Sequence, residues 1–279
     1  MKKKVLEIQT FIELEKDRKI VGVDFIQTRN EYEDYDLDEA THQMFFCMMV
    51  KAATIGHGMK VTKKHIYCSA ASEVLGFSMP NEDVKSGRRQ YERNMYYSEK
   101  IAQYVAEGTP YLNHSVYGMV IQPLEKYEKL PDVVMIFCKP YTAMRIIQSY
   151  TYYFGYAKNI IFSGMGGVCS ELMARSYKNQ DINVSFLCSG TRFASEWRDC
   201  EVGIAFPGKM LDAILDGLRN TLNTFEPDDK KQYIDLRAKE NDVEVDLDFG
   251  NNYHESSIGV AKLGVKGYRR KKTLRKKDF

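Results

Sequence analysis

Apolar positions along the chain fall into two periods, and the alternation between them outlines an α/β protein. From Ile20 to Gln27 the run Ile-Val-Gly-Val-Asp-Phe-Ile-Gln is β-branched and aromatic, which predicts a strand. Similar runs predict strands over 60–68, 115–122, 132–138, 160–162, 182–188 and 200–207. Helical spacing is read over 5–19, 38–56, 69–76, 87–107, 141–155, 208–222 and 227–239. The stretch from Asp38 has acids at its start and Gly56 at its end, the ordinary signals of helix entry and exit. The aromatic cluster at 150–156 fits one buried helix face.

The order strand, helix, strand, cysteine, helix occurs twice. One copy takes in 20–80 and places Cys68 before a helix carrying Glu73; the other takes in 130–180 and places Cys169 before a helix carrying Glu171. This predicts a single α/β domain over 1–263. Its mixed sheet is built from two related strand-helix-strand-helix halves with flanking helices, and Cys68 and Cys169 are equivalent. Repeated strand-helix-strand units favour parallel pairing within each half.

Charge alters this picture only at the end of the chain. The 279 residues carry 40 Lys and Arg against 38 Asp and Glu. Eight of those cations and one of those acids fall in 264–279, so the rest of the chain is five charges negative. A basic tail that could touch nucleic acid or an acidic partner follows, and a nucleic-acid surface over the whole body does not. Glu7, Glu13 and Glu15 break any signal-peptide core near the start. No apolar run approaches the roughly 20 residues of a membrane span. The expectation is a cytoplasmic protein with no membrane contact, its six cysteines kept as thiols.

The chemistry concentrates around Ser163-Gly-Met-Gly-Gly167, a glycine-rich turn between an apolar run and a helix, with Cys169 two residues on. Gly164, Gly166 and Gly167 permit close backbone approach and are candidate cofactor-binding positions. The turn lacks the Gly-Lys-Ser/Thr of a phosphate-binding Walker loop. Cys188-Ser-Gly-Thr-Arg192 is too short for a cysteine-phosphatase loop, although Arg192 has the planar fork that holds anions. No Cys-x-x-Cys pair occurs, and the five histidines show no metal-ligand spacing.

Several motifs in order resemble domain of unknown function family 169, the uncharacterised ArCR family. They include Cys47-x-x-Val50-x-x-Ala53-x-x-Gly56 and Cys68 through Leu75-Gly76. Pro131-Asp132-Val133-Val134, Pro140 with Ala143-Met144, and Cys169-Ser170-Glu171 follow. Asn183-Val184-Ser185, Cys188-x-Gly190-x-Arg192, Glu201 and Pro207 complete the set. Ala70 stands where the family often has glycine, and Phe77 replaces a leucine. The likeness spans roughly 21–224 and implies a fold relationship and a cysteine pattern without an activity. It selects Cys47, Cys68, Cys169 and Cys188 from the six cysteines.

Four selected thiols match the ligand number of a 4Fe-4S cluster or of a tetrahedral zinc ion. The leading expectation is an iron–sulfur redox protein or enzyme acting with a small-molecule substrate or redox partner. Its metal ligands would be those four cysteines, with Glu171 handling protons and Arg192 anchoring substrate. A small-molecule or cofactor-binding module with structural cysteines, and an enzyme using Cys169 alone as a reactive thiol, are the rivals.

Overall fold

The computed structural model describes residues 1–112, 116–250, 252 and 253. The basic tail therefore lies outside the described residues. Six strands form one sheet: β1 Val21–Ile26, β2 Met59–Thr62, β3 Gly118–Pro123, β4 Val133–Cys138, β5 Asn183–Ser185 and β6 Val202–Pro207. Their order is β2-β3-β1-β4-β6-β5. β1, β3, β4 and β6 are buried along their whole length, which is why they read as continuous apolar runs without alternation. Helices Lys2–Phe11, Pro140–Phe154, Leu211–Asn220 and Asp228–Asn241 cover one face. Helices Phe46–Thr54 and Ser69–Val74, with a π-helix over Gly167–Ala174, cover the other. The chain thus has the expected α/β class, a sheet flanked by helices.

Among the described residues every pairing between the six strands is antiparallel, which corrects the expectation of parallel pairing within each half. The reason is topological: β3 inserts between β1 and β2, and β6 inserts between β4 and β5. The first two strands of each half, β1 and β2 or β4 and β5, are therefore not neighbours. Among the described residues, parallel pairing survives as two isolated bridges, Glu39 to Lys60 and Met44 to Ile66.

The registers repeat between the halves. Val21 lies opposite Pro123 as Val133 lies opposite Pro207. Both prolines end a strand and lead into a 3₁₀ turn, Leu124–Lys126 or Gly208–Met210. Two residues before each proline, Ile121 faces Met59 and Ala205 faces Asn183 at the sheet edges. At the centre, Val21 pairs with Met135 and Val23 with Val133, so exchanging β1 and β4 maps the pairing onto itself about Gly22–Val134. The repeated unit is thus β1-β2-β3 and β4-β5-β6, longer than the stretches read from sequence.

This register also corrects the cysteine equivalence. Cys68 caps the helix that follows edge strand β2, and Cys188 caps the helix, Ser189–Ser195, that follows edge strand β5. Cys169 instead stands near the start of the helical segment before β5, as Cys47 stands near the start of the helix before β2. Each half contributes one cysteine from before its edge strand and one from after it.

Two local differences have clear causes. The helix expected from Asp38 begins only at Phe46, because Ala40 and Met44 bond along the β2 edge through the carbonyls of Lys60 and His65. Ile160–Phe162 forms no strand. The Asn183 carboxamide takes the place of a ladder there, accepting from the Ile161 amide at 2.9 Å and donating to its carbonyl at 3.0 Å.

A pH dependence is built into the sheet centre. Asp24 on β1 accepts the Asp132 amide at 2.7 Å, and burial, reinforced by the Asp132 carboxylate, pushes its pKa from 3.8 up to about 6. The folded chain therefore holds this proton more tightly than the unfolded chain does. Stability from this group is greatest below about pH 4 and falls as pH rises to about 6, by about 3 kcal/mol. Asp24→Asn keeps the acceptor and removes the buried charge. It is expected to raise the melting temperature at pH 7.5 and to lose that advantage at pH 4; an equal difference at both pH values would contradict this account.

Candidate functional site

The glycine-rich turn is held from inside by Glu171, three residues before the end of the π-helix. Its buried carboxylate accepts the amides of Ser163 at 2.6 Å and Gly164 at 2.8 Å, and the Ser163 hydroxyl at 3.2 Å. The Ser185 hydroxyl of β5 donates to its other oxygen. The amides of Ser163 and Gly164 are thus already occupied by an internal carboxylate. Gly164 and Gly166 hold φ of +75° and +73°, backbone that a side chain would strain. Gly167 serves a different purpose: a Cβ there would stand 2.6 Å from Leu187 Cα and 2.9 Å from the Cys188 nitrogen. Its missing side chain lets the start of the π-helix lie directly on the segment that carries Cys188. π-Helical turns are uncommon and concentrate at functional sites.

Leu187, just before Cys188, adopts φ +67° although it is not glycine. Its side chain is buried in the core and its amide is tied to the Ser185 hydroxyl at 2.9 Å, so the surrounding structure enforces the strained conformation. Cys188 is then presented as a helix cap, its sulfur accepting the Thr191 amide at 3.3 Å and lying 3.0 Å from the Thr191 hydroxyl. The Ser195 hydroxyl, one turn further along the same helix, donates to the Cys47 sulfur at 3.0 Å. Lys51 fixes that helix end by donating to the carbonyls of Ser195 and Glu196.

The helical segments that carry the four family-matched cysteines pack on one another across the two halves. The Cys188 helix packs on the Cys47 helix, and the Cys68 helix packs on the π-helix of Cys169. Burial first, and then the thiols of Cys68, Cys188 and Cys47 around it, push the Cys169 thiol well above its ordinary range. Burial also raises Cys47, with the neighbouring Cys188 thiol adding to the shift and the Ser195 hydroxyl opposing it. A lone thiol in such surroundings stays protonated at neutral pH and is a poor nucleophile. All four are half-buried, whereas Cys138 is buried in the core of the opposite face, where burial pushes its pKa up to about 12, and Cys200 is exposed. Among the described residues, no group of three or more His, Cys, Asp or Glu side chains is arranged to hold a single metal ion.

Arg192 is engaged in the scaffold as Glu171 is. Its guanidinium donates to the carbonyls of Phe186 at 3.0 Å and Glu201 at 2.7 Å, and to that of Arg198. It joins the Cys188 helix to the start of β6. Thr191, Ser195 and Trp197 are contributors that sequence reasoning missed. The indole of Trp197, the one tryptophan in the chain, donates to the Cys47 carbonyl at 3.3 Å and packs on Phe137. Thr191 was within reach of sequence reasoning, since a cap residue binds the amide three positions on. Ser195 and Trp197 carry no local signal, because their partner Cys47 lies about half the chain away.

The chain belongs to the uncharacterised ArCR family, domain of unknown function 169, whose model matches residues 12–217. That stretch contains all four motif cysteines and the whole sheet. The chain is also similar to an uncharacterized protein of Methanocaldococcus jannaschii, with 25% identity over 223 residues, 78% of this chain and 92% of that protein. No solved structure matches. No helix among the described residues is long and apolar enough to cross a membrane.

Proposed function

We propose that this member of the uncharacterised ArCR family holds a 4Fe-4S cluster on Cys47, Cys68, Cys169 and Cys188 and acts in electron transfer or redox catalysis. The observation that supports the reading is the packing of two equivalent pairs of cysteine-bearing helical segments, one pair from each half, which brings the other three thiols close enough to raise the pKa of Cys169. Soft thiolate sets select iron–sulfur centres, zinc or cuprous ions. A single zinc ion needs all four sulfurs about 2.3 Å from one point. A cubane instead meets each thiolate at a separate iron and accepts a wider set, which suits four thiols spread over four helix starts.

When bound, such a centre supplies one-electron chemistry. The protein's own residues set its conditions. Half-burial of the thiols keeps the site near the surface, within reach of a redox partner. Thr191 and Ser195 direct hydrogen bonds at the sulfurs of Cys188 and Cys47, which favours the more negative reduced state. Glu171 and Arg192 act as positioning residues, the first shaping the turn before Cys169 and the second fixing the Cys188 helix to β6.

Anaerobic purification followed by iron, sulfide and zinc analysis tests the proposal. About four irons and four sulfides per chain are expected, together with quenched Trp197 emission that recovers on removal of iron. Stoichiometric zinc, or neither metal, would overturn it. If the hydroxyls tune the centre, Ser195→Ala should lower its midpoint potential by about 40 mV, one hydrogen bond of about 1 kcal/mol in a one-electron couple. An unchanged potential with full iron content would assign Ser195 a purely structural role.

A further inference from the structure

An open groove of about 660 Å³ lies beside the turn that leads from β2 to Cys68. This is within the range of roughly 300–1,000 Å³ usual for small-molecule sites. Its lining includes Lys63, Lys64, Tyr67, Ser69, Ser72 and Ser78, and no carboxylate. Lys64 reaches Glu39 at 3.2 Å outside the lining, while the Lys63 ammonium has no ion pair among the described residues. Ser72 and Ser78 share one hydrogen bond of 2.9 Å between their hydroxyls, which leaves each with further bonding capacity. Tyr67 stands 65% exposed with its ring edge-on to Phe45. Tyr67 and Ser69 flank Cys68 directly in the chain.

We propose that this groove binds a small organic anion, a carboxylate- or phosphate-bearing molecule. Lys63 and Lys64 take its charge, and the hydroxyls of Ser69, Ser72 and Ser78 take its polar groups. The exposed phenol of Tyr67 closes one side. With Lys64 paired to Glu39, Lys63 is the uncompensated cation of the lining, and a lining that carries no carboxylate leaves its field free to attract negative ligands from solution. The residues flanking Cys68 place such a ligand next to the cysteine site; in that respect the inference rests on the iron–sulfur reading and gives its substrate class.

The test uses the full chain, purified anaerobically, with citrate and inorganic phosphate as probes and glycerol as a neutral control. Acylation of lysines is followed by mass spectrometry as each probe is titrated, and iron is measured in the same sample. Saturable protection of Lys63 by at least one anion, fivefold or more, is expected, with none from glycerol and none at the exposed Lys16. The doubly substituted Lys63→Gln, Lys64→Gln protein should lose binding of the protecting anion, read by calorimetry, while its circular dichroism stays that of the parent. Absence of saturable protection by either anion, equal protection by glycerol, or undiminished binding to the double variant would overturn the groove assignment. Protection without iron would overturn the cluster reading and leave the groove standing; iron without protection would do the reverse.

Discussion

Cys169→Ser is expected to reduce iron content by more than half and to lower the melting temperature of the anaerobic protein by at least 5 °C. Cys169 is the thiol whose pKa is raised by all three of the others, so its loss is expected to remove the ligand most central to the set. A hydroxyl is a hard, weakly acidic donor and a poor substitute for thiolate at iron. Because metal binding is linked to folding, lost affinity reappears as lost stability. For a chain of this size each 1 kcal/mol corresponds to about 2–4 °C. Two controls separate ligand loss from general damage. Cys200→Ser, at an exposed position, should change neither quantity. Cys138→Ser, in the core of the opposite face, should lower the melting temperature and leave the iron in place. Full iron in the Cys169→Ser protein would remove that residue from the ligand set.

The second large effect is expected at Gly167. An alanine methyl there would meet Leu187 Cα at 2.6 Å and the Cys188 nitrogen at 2.9 Å, closer than such atoms approach without a shift. The obstacle is main chain, so no rotamer relieves it. Leu187 has little room to yield, since its strained φ is fixed by a buried side chain and by the Ser185 hydroxyl. Overpacking of this kind costs about 1–3 kcal/mol. Here the displacement also separates Cys169 from Cys188, so iron should fall together with stability. Gly164→Ala supplies the contrast. Its Cβ would point into open space, and only the positive φ opposes it, at about 1–2 kcal/mol. Gly164→Ala is expected to retain iron and Gly167→Ala to lose it, measured by iron analysis and thermal melting. The reverse order would show that the turn conformation, and not the approach of the two cysteine segments, sets the site.

Where the chain is buried and where it turns is written locally in its residues. Runs such as Val133–Cys138 and Val202–Pro207 are apolar on both sides because both sides of the sheet are covered, and that property is local. The glycine-rich turn and the short spacing from Cys188 to Thr191 are local as well. The resemblance separated four cysteines from Cys138 and Cys200. The tertiary structure decided which segments became neighbours. Apolar periodicity records burial and is silent about the partner, so the antiparallel order and the insertion of β3 and β6 could not be read from it. The equivalence of Cys68 with Cys188, and of Cys47 with Cys169, depends on that strand order. So does the contact of Ser195 with a sulfur 148 positions earlier. Glu171 and Arg192 looked like chemical groups because carboxylates and guanidinium groups often are. Only the fold decided that the amides and carbonyls around them would use their hydrogen-bonding capacity, since a buried charged group is stable where its neighbours satisfy it.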